Sequence, residues 1–82
     1  MSAMRYAVII EPGEQGYGAY VPDLPGCVAV GDTREETEQS IAEAVAFHVE
    51  SLVAHGDPVP SPGAWTGTVD VPSTVARAGR RQ

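Results

Sequence analysis

The run VPDLPGCVAVGDTREE, Val21 to Glu36, leaves the backbone fewer choices than any other part of this chain. Pro22 and Pro25 fix their own φ and push the residue before each of them out of the α region, so the chain must turn there, and stiffly. Gly26 lets the backbone bend without a Cβ clash. Cys27, Val28, Ala29 and Val30 then read as a short, largely buried strand that Gly31 ends. Asp32 and Thr33 both suit an N-cap. Thr33 with Glu36 three residues later matches the capping box, so a helix starts here with its first amides satisfied. The order strand, turn, strand, helix follows.

Upstream, Tyr6, Val8 and Ile10 alternate with Arg5, Ala7 and Ile9. This is a first strand whose second face is also apolar, which suggests a sheet covered on both sides. Glu11 to Gly16 is a Pro/Gly loop of hairpin length, so Tyr17 to Val21 returns antiparallel, with a bulge expected where Gly16 and Gly18 flank Tyr17. Met1 to Met4 is set aside as an unstructured start, with Met4 as an alternative initiation site.

Downstream the period becomes helical. Ile41, Ala44, Val45, His48 and Leu52, with Val49 at the margin, share one side, while Glu36, Gln39, Glu43 and Glu50 take the other. His55 and Gly56 end this helix, and Pro58 prevents its continuation. Pro58, Pro60 and Pro62 make a stiff, extended crossing. WTGTVDV, Trp65 to Val71, alternates as a fourth strand that Pro72 stops. The expected class is α+β, in the order β-β-β-α-β: a three-stranded antiparallel meander, one helix packed on a face, and a final edge strand. Residues 1–72 form the domain and 73–82 a mobile basic tail.

Composition limits what such a domain can do alone. A chain of 82 residues buries only about 60 to 65% of its extended surface, so association would help it. One Phe, one Trp and three Tyr leave Val, Ile, Leu and Ala to fill the core. No apolar run approaches the roughly 20 residues that cross a bilayer, MSAMRY lacks the apolar core of a signal peptide, and a single Cys forms no internal disulfide. A cytoplasmic protein is expected. Net charge is −6, unevenly spread: all eleven acidic residues precede Val71, and Arg77, Arg80 and Arg81 close the chain. An acidic body repels phosphates, so strong nucleic-acid binding by this chain is not expected, and a basic protein is the better partner.

Catalytic chemistry finds little support. Asp23, Asp32, Glu35 and Glu36 are the candidates for a two-metal site. The last three are accounted for by the cap and acidic first turn of a helix, and Asp23 sits in a turn between prolines. A nucleophilic thiol needs an electropositive setting, whereas Cys27 opens an apolar strand in an acidic protein. His48 reads as a core or interface histidine and His55 as a helix-end residue, so neither a metal nor a cofactor is expected. Phe47 lies toward the polar side of the wheel, where it either contacts another chain or tucks beneath the PVPSP crossing. Trp65 has the same two readings, a subunit anchor or a cap on the core.

The stretch YGAYVPDLPGCVAVGDTREETEQSIAEAVAFHVESLVAHGDPVPSP resembles the HicB-like antitoxins, the small acidic partners of HicA-type RNA-cleaving toxins; the likeness runs from about Tyr6 to Pro62. The resemblance implies a partial RNase H-like fold and a non-enzymatic antitoxin of a type II toxin–antitoxin system. Its partner would be a basic ribonuclease of double-stranded-RNA-binding-like fold with a catalytic histidine. Tyr20, Asp23, Leu24 and Pro25 would then contact the toxin, with Asp32, Glu35 and Glu36 as electrostatic support. Phe47, Trp65, Val69 and Val71 would join copies into a dimer or a tetramer. Many members carry a C-terminal DNA-binding domain, and STVARAGRRQ is too short to be one, which puts autorepression in doubt. The alternatives are a regulatory protein-interaction domain without a toxin and a small metal-dependent hydrolase.

Overall fold

In a computed structural model that describes residues 4–74, the chain forms three short strands and one long helix. β1 (Ile9–Gly13), β2 (Gly16–Tyr20) and β3 (Val28–Gly31) make an antiparallel meander in the order β1-β2-β3, and α1 (Arg34–Ala54) packs on one face. The expected meander and helix are present, with three local differences.

The first hairpin is tighter than its Pro/Gly content suggests. Glu14 and Gln15 alone make the turn, and Pro12 sits inside β1 opposite Tyr17. An edge strand tolerates this proline because its missing N–H would face outward. The ladder runs without a bulge from Ile9↔Tyr20 to Gly13↔Gly16, and Gly16, at φ 139°, makes the turn exit that other residues resist. Residues 5–8, expected in the first strand, have no ladder. The last pair is Ile9↔Tyr20, and beyond Tyr20 the segment after β2 turns away through Pro22.

The helix starts and stops on its sequence signals. The Thr33 hydroxyl oxygen accepts from the Glu36 amide at 3.1 Å, while the Glu36 carboxylate reaches one residue past the cap to accept from the Asp32 amide at 3.1 Å. At the other end Gly56 adopts φ 72°, and the amides of Gly56 and Asp57 donate to the carbonyls of Val53 and Leu52 at 3.1 and 2.9 Å, a Schellman closure. The His55 ring adds a contact from Nδ1 to the Ser51 carbonyl at 2.7 Å.

The core is small. Ala19, Val21, Leu24, Cys27 and Ile41 are buried, with Tyr6, Val8, Ile10, Ala29, Ala44, Val45 and Val49 packed around them. Thr37, which the apolar wheel passes over, is fully buried, and its hydroxyl donates to the Thr33 carbonyl at 2.8 Å. Helix and sheet approach closely here because β3 presents Gly31: a Cβ at that position would lie 2.5 Å from Thr37 Oγ1 and 2.8 Å from the Thr37 amide nitrogen.

The fourth strand does not form. Residues 57–72 have no strand pairing, and Trp65, Val69 and Val71 are exposed, Trp65 at 91%. A period-2 pattern specifies a strand only where one face is buried and an edge is offered; here both alternating sets face water, and Gly67 weakens the run further. What holds the crossing is polar. The Tyr6 hydroxyl donates to the Pro60 carbonyl at 2.6 Å, and the Gly63 and Ala64 amides both donate to Asp23 at 2.9 Å. The basic tail lies almost wholly outside the described residues.

Candidate functional site

The two faces of the sheet differ sharply. Alternation turns Ala29 and Gly31 of β3 and Tyr17 and Ala19 of β2 toward α1, small side chains for the most part, as close helix packing requires. Val28, Val30, Tyr20 and Ile9 point the other way. Ile9, Tyr20 and Val28 stand opposite one another across all three strands, and Glu11, Gly18 and Val30 form the next row. Val28 is 64% and Val30 78% exposed, so the expectation of a largely buried third strand and a sheet covered on both sides is corrected. The larger β3 side chains lie on the open face, where the single helix does not reach.

The PDLPG turn closes one end of this face. The Leu24 amide donates to the Val21 carbonyl and the Cys27 amide to the Leu24 carbonyl, both at 3.0 Å, giving two linked β-turns with a proline second in each. The Val21 amide, donating to the Cys27 carbonyl at 3.2 Å, shuts the loop. This geometry sends every third side chain, Val21, Leu24 and Cys27, into the core. Leu24, expected to contact a partner, is 0% exposed and plugs the core instead, while Pro22 and Pro25 remain outside. Burial also pushes the Cys27 thiol pKa up, the opposite of what a nucleophile needs.

Asp23 likewise has a structural task. One carboxylate oxygen accepts both crossing amides, and these two bonds, Ala64 first and Gly63 second, pull its pKa below the ordinary carboxylate value. Of the seven expected contact residues, Tyr20, Pro25, Asp32, Glu35 and Glu36 are exposed. The acidic ones gather at the β3–α1 junction. Asp32, Glu36 and Glu43 line a shallow hollow beside Val30 together with Gln39 and Ser40, so the apolar face runs directly into a negative border. Among the described residues no three His, Cys, Asp or Glu side chains are placed to hold a metal. Phe47 is 73% exposed, which removes the reading in which it tucks under the crossing. No helix among the described residues is long and apolar enough to cross a membrane.

A family model described as the HicB_like antitoxin of bacterial toxin–antitoxin systems matches residues 6–74. The chain belongs to the HicB-like antitoxin family. It is similar to the UPF0150 protein ssr1765 of Synechocystis sp., 46% identical over 57 residues that make up 68% of this chain and 72% of the relative. It is also similar to Antitoxin HicB 1 of Photorhabdus laumondii subsp. laumondii, 39% identical over 89% of this chain and 48% of the relative. The chain thus spans about half of that HicB antitoxin. Among solved structures, the HicA3 and HicB3 toxin–antitoxin complex contains a chain that aligns with a TM-score of 0.63 at 36% identity, over 72% of this chain and 69% of that one. The antitoxin HicB3 crystal structure aligns at 0.59 over 89% and 77%, and at 22% identity supports the fold alone. The HicB-like core seen here is three antiparallel strands followed by one helix.

Proposed function

We propose that this HicB-like chain acts by binding rather than by catalysis, as the antitoxin module that captures a small basic HicA-like ribonuclease in the cytoplasm. The observation that carries the reading is an uncovered apolar sheet face that meets an acidic helix start, in a family whose solved relatives include a complex with HicA3. Tyr20, Val28 and Val30 supply the desolvating contact, and Asp32, Glu35 and Glu36 the attraction. Pro25 borders the face as a rigid surface element, while Asp23 and Leu24 hold the turn in shape. Phe47, Trp65, Val69 and Val71 are exposed and available for self-association, in the first instance as a dimer.

Expression of the chain beside a HicA-like toxin, sought first in the adjacent open reading frame, tests this. The expected result is rescue of growth, recovery of a stable complex, and block of RNA cleavage by the purified toxin. Absence of both complex and rescue, with the chain folded, would reject the antitoxin role in favour of a regulatory domain that binds something else.

A further inference from the structure

Among the described residues the sheet ends in two unpaired edges, and they are not equivalent. β1 presents Glu11 and Pro12, a charge and a residue without a donor, which are the usual devices that blunt an edge. β3, with the sequence VAVG, has no charge, no proline and an unbroken ladder to β2. Its backbone polarity follows from the register. The Val21 amide bonds the Cys27 carbonyl, so Val21 and Cys27 form a hydrogen-bonded pair; antiparallel alternation then gives Ala19/Ala29 and Tyr17/Gly31 the same status. Val28 and Val30 are the intervening pairs, with N–H and C=O groups turned outward. The same logic turns the nitrogen of Pro12 outward on β1, consistent with its tolerance there.

We propose that β3 is a strand-addition site, and that its occupant is an extended, basic segment of the toxin partner. This rests on the antitoxin reading above. Pairing to Val28 and Val30 satisfies their outward backbone groups and lays the added strand's side chains beside the two valines. Charge selects the occupant. The edge ends at Asp32, with Glu36 and Glu43 in the hollow beside Val30. A lysine or arginine at the matching end of the incoming strand finds three carboxylates, whereas a second copy, of net charge −6, brings a like-charged body to the same edge.

The test uses the HicA-like toxin that the chain binds, inactivated so that cells survive, and the Val30→Pro variant. Proline at Val30 removes an outward donor without removing a ladder bond, so circular dichroism and the melting transition should remain those of the parent. Affinity for the toxin should fall about tenfold or more. Hydrogen exchange on the parent gives a second reading that needs no substitution: the Val28 and Val30 amides should exchange freely in the isolated chain and become protected in the complex. Parent-like affinity of a folded Val30→Pro variant, or unprotected Val28 and Val30 amides in an intact complex, would overturn strand addition while leaving the antitoxin role standing. Failure of the parent to bind the toxin at all would overturn both.

Discussion

Leu24 sits at the centre of the most constrained loop and is fully buried, so its truncation should act on folding. Leu24→Ala is expected to cost about 2 to 5 kcal/mol in denaturant unfolding, a large share of the stability of so small a core, while the fraction that remains folded binds partner with parental affinity. Gly31 tests the helix–sheet approach. Gly31→Ala places a methyl group against the backbone of Thr37 as well as its hydroxyl, and the helix must move; a loss of about 1 to 3 kcal/mol on thermal or denaturant melting is expected. A parental melt would mean that α1 slides at no cost.

At the scale of elements, the crossing after α1 is joined to the turn before β3 by one carboxylate. Asp23 has a lowered native pKa, so its contribution is complete above the ordinary carboxylate value and fades as the pH falls through the lowered one. The Gly63 and Ala64 amide resonances should therefore move with pH in an acidic window. Asp23→Asn, which keeps an acceptor oxygen but no charge, should abolish that movement while leaving the sheet intact. The sequence announced the helix almost to the residue because Thr33, Glu36, Gly56 and Pro58 act locally. The order of the meander followed from the turn residues but its bounds did not, since β1 begins at Ile9 and runs on to Gly13. The fate of VAV and WTGTVDV was not legible, since both alternate convincingly and what decides them is tertiary: which face the helix α1 covers, and whether either face of the run is buried. The structural tasks of Asp23 and Leu24 were hidden for the same reason. A stiff loop looks like a recognition element until its every-third-residue inward pattern, Val21, Leu24 and Cys27, is seen. Tyr20, Asp32, Glu35 and Glu36 are exposed, as a partner contact requires, although the cap also uses Glu36, whose carboxylate accepts the Asp32 amide.

At the scale of the whole molecule, the proposed antitoxin role divides the work of association between eleven acidic residues and an open apolar face. Charge reversal at Glu35 and Glu43 leaves the Glu36 bond to Asp32 undisturbed. It should chiefly lower the association rate with a basic toxin and flatten its salt dependence, as stopped-flow at several ionic strengths would show. Self-association has its own reporter in Trp65, the chain's single tryptophan. If copies join through the crossing, its emission should shift to the blue as concentration rises, in step with mass from light scattering, and Trp65→Ala should shift both toward the monomer. The two bonds to Asp23 also bear on how the chain is degraded. They tie a largely exposed, unpaired crossing to the turn, so they can open without dismantling the strands or α1. A chymotrypsin-like protease should therefore nick the native chain at Trp65 first and leave the preceding domain whole, and the nicking rate should rise in Asp23→Ala with no change in the melting of the sheet and helix.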